Sequence, residues 1–148
     1  MTMATLFTAD REKHIDEIKF WLNAEITVIC DRYLMSTLVY NTETTHDVEV
    51  VVANHCPWYL VPDVVFWLDM TEEHLSKRLE HTASSRSSLS IYEHKERLIF
   101  HLWKYRKLFE DATLADLHPT VVRLDGNLPE NMLAEQVFTY VKEHENGN

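Results

Sequence analysis

Apolar residues recur along the chain at helical spacing in some segments and as short continuous runs in others. Over residues 10–24 the side chains of Ile15, Ile18 and Leu22 recur every three to four positions, which predicts a helix. The run ITVIC at residues 26–30 is almost entirely β-branched, as is typical of a strand buried on both faces. The first predicted unit is therefore a helix followed by a buried strand.

The same alternation continues through the rest of the chain. Residues 34–53 favour a helix, and a second buried strand at 64–68 follows Pro62-Asp63. Thr71 with two glutamates after it is typical of an N-cap and an acidic first turn. A long helix, a third strand at 120–125 and a last helix follow, with helical spacing at Ile91, Leu98, Leu102, Tyr105 and Phe109 and again at Met132, Leu133, Val137, Tyr140 and Val141.

This order of elements predicts an α/β fold in three layers, with a parallel sheet flanked by helices and joined by right-handed crossovers. In such sheets ligands bind outside the carboxyl ends of the strands. Two predicted strands end in charged residues there, because Asp31 and Arg32 follow the first and Asp69 closes the second. We therefore expect the functional site at this edge of the sheet.

Length and charge narrow the class of protein. The 148 residues, 45% of them apolar, suffice for one globular domain over 1–148. The formal net charge of −10 repels a phosphate backbone, so we expect no nucleic-acid partner. No apolar run reaches the roughly 18–20 residues that cross a bilayer, so we expect no membrane partner and a cytoplasmic location.

Cysteine, histidine and glycine usage argue against several kinds of site. Cys30 and Cys56 lack a paired spacing and the nine histidines are scattered, so no metal site is predicted. Gly126 and Gly147 are the only glycines, so the sequence contains no Walker A loop and no dinucleotide-binding fingerprint.

An arginine at the carboxyl end of a buried strand is a reasonable phosphate ligand. The planar guanidinium of Arg32 can clamp two phosphate oxygens, and Asp31 can orient it or hold a metal-bound water. The alternative is a helix-capping aspartate beside a surface arginine.

The order of short motifs resembles the thymidylate kinase family of P-loop nucleoside monophosphate kinases, over nearly the whole chain. The first motif is LFTADR with Arg11, which resembles the family's arginine-bearing helix. The others are Asp31-Arg32-Tyr33 followed by Ser36 and Tyr40, Pro62-Asp63 before a strand that ends Leu68-Asp69, Lys77-Arg78, an arginine in a serine-rich loop at Arg86, and Tyr105.

The resemblance implies roles for particular residues. It implies base recognition by Arg11, phosphate contact by Arg32, a place for Asp31 near magnesium and the phosphates, and packing of Tyr40 against the ribose side. Ser36 and Thr37 lie where the family has a serine and a base-contacting polar residue.

The resemblance also implies a lid loop at 82–90. Arg86 and Arg78 would be lid cations that neutralise charge on the transferred phosphoryl group. For Arg86, a solvated arginine in a loop is the alternative.

A complete family member begins with a strand and a glycine-rich loop ending in Lys-Ser/Thr, so the resemblance implies an N-terminally incomplete copy. ATP and Mg²⁺ are implied by the family only. The implied function is phosphoryl transfer from ATP to dTMP, giving dTDP, if a P-loop segment complements this chain, in a homodimer or with a partner that supplies the missing strands. The alternatives are a non-catalytic nucleotide-binding or oligomerising subunit, and a relative of the deoxynucleoside kinases.

Overall fold

The computed structural model describes residues 3–41, 59–83, 95–110 and 120–145. The chain divides into two compact units, Met1–Val61 and Pro62–Asn148. The organisation into one domain over 1–148 stays a prediction. None of the helices in the described ranges is long and apolar enough to cross a membrane.

The first unit contains helices α1 (Met3–Asn23) and α2 (Leu34–Asn41). Helix α1 begins earlier than the sequence pattern predicted and ends in a Schellman motif, in which Ile26 N donates to Trp21 O at 3.0 Å and Glu25 N donates to Leu22 O at 3.0 Å. Glu25 takes the left-handed conformation that this motif requires, with φ of 58°. The helix therefore stops without the glycine that usually occupies that position.

Helix α2 supplies most of the buried side chains that the structure describes in this unit. Ile15 of α1 is also buried, at 3% exposed. The buried residues of α2 are Leu34, Met35, Thr37, Leu38 and Val39. Because these residues cover one side of a short helix, α2 is anchored by packing rather than by its own length.

The predicted strand at 26–30 is wrong for the described structure. These residues form no strand, and the side chains of Ile26 and Ile29 are 45% and 75% exposed. A β-branched run becomes a strand only where another strand accepts its backbone hydrogen bonds, and the described residues of this unit are otherwise mainly helical and offer none.

The second unit is an α/β arrangement around a two-stranded parallel sheet. Strand β1 (Val65–Asp69) pairs with β2 (Val121–Asp125) in a register that aligns Val65 with Val121 and Asp69 with Asp125. The chain passes between the strands through α3 (Glu72–Ala83) and α4 (Lys95–Glu110), and α5 (Glu130–Glu145) follows β2. The structure confirms the strands predicted near 64–68 and 120–125 and their parallel direction.

The two faces of this sheet contact different helices. Trp67 of β1 packs on Phe109 of α4, with ring centroids 5.1 Å apart. The next residue toward the N-terminus, Phe66, packs edge-on against Tyr140 of α5 at 5.3 Å. Since successive side chains of a strand point to opposite faces, α4 and α5 lie on opposite faces of the sheet.

The N-cap predicted for α3 is confirmed. The hydroxyl of Thr71 accepts a hydrogen bond from His74 N at 3.3 Å, and Glu72 and Glu73 occupy the first turn. Several features predicted from the sequence lie outside the described residues. They are residues 42–53 of the second predicted helix, Cys56, the serine-rich loop and Ile91.

Candidate functional site

The carboxyl edge of the two-stranded sheet carries a buried carboxylate between two arginines. Asp69, the last residue of β1, is 6% exposed. Its Oδ1 accepts a hydrogen bond from Arg106 Nε of α4 at 3.0 Å, and its Oδ2 accepts one from Arg123 Nη2 of β2. A buried carboxylate needs such partners, because an isolated buried charge costs several kcal/mol. Asp69 therefore joins β1, β2 and α4 at this edge.

Both arginines make a second contact. Arg106 Nη2 donates to Met70 O at 2.8 Å, and the Arg123 guanidinium carbon lies 5.1 Å from the ring centroid of Trp67. Each guanidinium is thus oriented by two contacts, although Arg106 is half-buried and Arg123 is exposed. The sequence pattern predicted Asp69 at this edge but neither arginine. Arg123 could have been found, because a parallel register places it opposite Trp67.

The loops that follow the two strands are also tied to each other. Gly126 N donates to Asp69 O at 2.6 Å, and a Cβ at Gly126 would lie only 3.0 Å from that oxygen. Asn127 Oδ1 accepts a hydrogen bond from Thr71 N at 3.2 Å, and Asp125 Oδ1 accepts one from Asn127 N at 3.0 Å. Glycine is favoured at 126 by this close backbone approach and not by a positive φ, because a side chain there would push against the carbonyl of Asp69.

In the first unit, Asp31 and Arg32 lie in the turn before α2, and both are exposed. Arg32 has a φ of 66°, an uncommon conformation for a residue other than glycine. Its guanidinium carbon lies 5.4 Å from the ring centroid of Tyr40, one of the residues with which the sequence grouped it. A non-glycine residue held in this conformation costs of order 1–3 kcal/mol, which is typical of binding and catalytic positions.

The other predicted site residues of α2 differ in accessibility. Ser36 is half-buried, whereas Thr37 is 1% exposed. A ligand can reach Thr37 only if the groups that cover it move. Tyr33, which follows Arg32, stacks on Tyr59 at 5.1 Å, and its hydroxyl accepts a hydrogen bond from Leu60 N at 3.4 Å. This aromatic pair was not predicted, and it links the turn at Arg32 to the end of the first unit.

The remaining predicted residues are placed less completely. Arg11 lies in α1, but its side chain is outside the described set, as is all of Arg86. Arg78 is exposed on α3. Of the predicted lid at 82–90, the backbone is described only for 82–83.

The described residues do not form a magnesium site. Within those ranges, no group of three or more His, Cys, Asp or Glu side chains could hold a metal ion. The sequence also contains no Walker A loop whose backbone could cradle donor phosphates.

Comparison with known proteins identifies the family. The family model described as Thymidylate kinase matches residues 1–136. The chain belongs to the thymidylate kinase family. This family member is 37% identical over 97 residues to a probable thymidylate kinase of Methanococcus aeolicus, which covers 66% of this chain and 46% of the relative.

Other relatives match over more of the chain. A probable thymidylate kinase of Methanocaldococcus jannaschii is 34% identical over 138 residues, which covers 86% of this chain and 69% of that protein. A thymidylate kinase of Plasmodium falciparum is 29% identical over 131 residues, covering 82% of this chain and 60% of that protein. No solved structure matches this family member. The chain spans about half the length of the curated relatives it matches first, at 46%, 39% and 60%.

Proposed function

We propose that this chain carries the acceptor site of a thymidylate kinase, which transfers a phosphoryl group from ATP to dTMP and gives dTDP. The observation that carries the proposal is the family match over residues 1–136. The donor phosphates would be held by a glycine-rich loop that is not among these 148 residues, either from a P-loop segment or from a partner chain. The proposed setting is cytoplasmic nucleotide biosynthesis.

Arg32 is the proposed phosphate ligand of dTMP. Its exposure, its φ of 66° and its position 5.4 Å from the Tyr40 ring centroid support this role, because they present a pre-oriented guanidinium at the start of α2. Tyr40 would pack against the ribose side and Asp31 would orient Arg32. Ser36 and Thr37 are the proposed polar contacts to the nucleotide, with Thr37 requiring the larger rearrangement.

The base and lid contacts rest on the family alone. Arg11 is the proposed base ligand, and Arg78 and Arg86 are the proposed lid cations, on a lid at 82–90. A single domain with three layers is the proposed organisation, and the contacts of α4 and α5 with opposite faces of the sheet support the layering. A homodimer is the proposed assembly.

Calorimetric titration of the chain with dTMP and, separately, with Mg-ATP tests this proposal. We expect dTMP binding that Arg32→Ala lowers by about tenfold or more, since a charge-assisted phosphate contact is lost. Lys19→Ala, at an exposed lysine of α1, is the matched control and should leave dTMP affinity unchanged. If neither dTMP nor Mg-ATP binds, or if Arg32→Ala binds dTMP as well as the control does, the acceptor site is wrongly assigned.

A second candidate is a non-catalytic nucleotide-binding or oligomerising subunit of the same fold. This subunit would bind dTMP and would remain inactive after a P-loop segment was added in trans. A relative of the deoxynucleoside kinases would instead bind thymidine in preference to dTMP, so titration with both ligands separates these two.

A further inference from the structure

Helix α4 has an aromatic and cationic outer face. Phe100 and Trp103 are 49% and 53% exposed, and they lie on the side of the helix opposite the buried residues Leu102 and Leu108. Together with Lys104 and Lys107 they follow the i, i+3, i+4, i+7 spacing of one helical stripe. We call Phe100, Trp103, Lys104 and Lys107 the lysine–aromatic ridge.

Contacts within the ridge hold its side chains in order. The rings of Phe100 and Trp103 are stacked, with centroids 6.1 Å apart and an interplanar angle of 17°. Lys104 Nζ lies 5.6 Å from the Phe100 centroid and Lys107 Nζ lies 5.9 Å from the Trp103 centroid. Such pairs pre-organise a flat apolar surface with a positive rim, which lowers the entropy lost on binding. On a chain of net charge −10, this ridge favours an acidic partner surface.

A groove with the complementary chemistry lies on the other side of the same unit. It runs between β2 and α5 and has a volume of about 430 Å³. Its floor is apolar, with Val122, Leu124 and Met132, and the lining includes the carboxylates of Glu135 and Glu143. Among the lining residues that the structure describes there is no lysine or arginine. The other lining residues are Gln136, Thr139 and Tyr140. We call it the acidic groove.

The ridge and the groove cannot meet within one molecule. The ridge lies on α4, which packs on the face of the sheet that carries Trp67, and the groove lies beside α5, which packs on the face that carries Phe66. A second copy of the chain, however, offers each surface its complement.

We propose that the lysine–aromatic ridge of one copy docks in the acidic groove of a second copy. Trp103 would enter the groove over Val122 and Leu124, while Lys104 and Lys107 approach Glu135 and Glu143. Trp side chains anchor many interfaces because they bury a large area at low conformational cost. The contact joins two different surfaces on opposite faces of the sheet, so it is head-to-tail and does not close into a two-fold dimer. The inference does not depend on the nucleotide site.

Sedimentation velocity across a concentration series tests the contact in the intact chain. We expect the sedimentation coefficient of the wild type to rise with concentration beyond the value for a dimer, because an open head-to-tail contact adds further copies whether or not a homodimer also forms. Lys107→Glu should weaken this association by about tenfold, because it places like charges together at the interface. Lys95→Glu is the matched control, since it makes the same change at an exposed position near the start of the same helix, off the ridge.

A charge swap makes the test specific. Glu143→Lys should weaken association to a similar extent. An equimolar mixture of Lys107→Glu and Glu143→Lys should regain it, because the two altered surfaces carry opposite charges and the unaltered ridge of the second protein meets the unaltered groove of the first. Trp103→Ala should also weaken association. Circular dichroism would confirm that each variant is folded. Three outcomes would each overturn the proposal: a wild type that never exceeds the size of a dimer, equal behaviour of the Lys107→Glu and Lys95→Glu proteins, or a mixture that regains nothing.

Discussion

Two runs of β-branched and apolar residues in this chain adopt different backbone structures. Residues 26–30 and strand β2 (Val121–Asp125) have comparable patterns, and each is followed by a charged or turn-forming residue. Yet β2 is a strand with Leu124 8% exposed, whereas Ile29 is 75% exposed and belongs to no strand. The difference lies in what surrounds each run, because β2 has β1 to pair with and α5 to pack against.

The comparison indicates that strand formation in this chain depends on neighbours more than on residue type. Backbone groups of β2 are paired with those of β1 from Val65 opposite Val121 to Asp69 opposite Asp125. The described residues around 26–30 supply no such pairing. Side-chain contacts then add to the hydrogen bonds, as β propensity measured in proteins mostly reports packing against neighbours.

The largest expected effect comes from truncating equivalent aliphatic residues in the two runs. Leu124→Ala should lower the free energy of unfolding by about 3 kcal/mol, because it removes buried apolar area and leaves a cavity between the sheet and α5. Ile29→Ala should change it by no more than about 0.5 kcal/mol, because that side chain is mostly in water. Urea unfolding monitored by circular dichroism measures both.

These two variants control for each other, since each removes an aliphatic side chain of the same size. Similar losses in both would mean that residues 26–30 are packed in solution, which would contradict the comparison.

The next effect concerns the carboxylate of Asp69, which pairs with two arginines at the end of β1. Asp69→Ala should cost about 2 to 3 kcal/mol, because Arg106 and Arg123 lose their shared carboxylate while Arg106 remains partly buried. The loss stays below that of a fully buried pair, because Arg123 is 65% exposed. The same urea experiment measures it.

Asp63→Ala is the control for this change, because Asp63 is an exposed aspartate just before β1. An Asp69→Ala protein as stable as Asp63→Ala would show that the two arginines do not depend on the carboxylate.

Much of the second unit could be predicted from sequence because its signals are local and agree with its packing. The Thr71 cap, the two strands and their parallel direction follow from residue patterns alone. The absent strand at 26–30 and the early start of α1 could not be predicted in this way. A pairing partner is a property of the fold, and no pattern within five residues reveals whether one is present.

In the candidate site, too, some features could be predicted from the sequence and others required the fold. Arg32 and Tyr40 were grouped in advance because both belong to one motif of the family that the sequence resembles, but their contact at 5.4 Å required the structure. By contrast, Asp69 is separated from Arg106 by 37 positions and from Arg123 by 54 positions. Predicting that both arginines contact Asp69 therefore required the strand register and the packing of α4. The side-chain positions of Arg11 and Arg86 lie outside the described residues and remain predictions.

The smallest expected effect is a dependence of stability on pH that originates beside the sheet. His101 of α4 is 5% exposed, and burial, together with the nearby charges of Lys104 and Arg97, lowers its pKa from 6.5 to about 4. Between these two pKa values the unfolded chain binds a proton at His101 that the folded chain does not. This contribution to stability is therefore complete above pH 6.5 and is lost as the pH falls toward 4.

A pKa difference of one corresponds to about 1.4 kcal/mol, and relaxation around a buried group reduces the total, so we expect a loss of about 2 kcal/mol. Urea unfolding at pH 7 and pH 4.5 measures it. His101→Gln should lose less stability between these two pH values than the wild type, whatever its stability at pH 7. His14→Gln, at an exposed histidine of α1, should keep the wild-type dependence. If both variants lose as much stability as the wild type between these pH values, the acid sensitivity does not come from His101 of α4. Burial beside the sheet would then add no pH dependence at this residue.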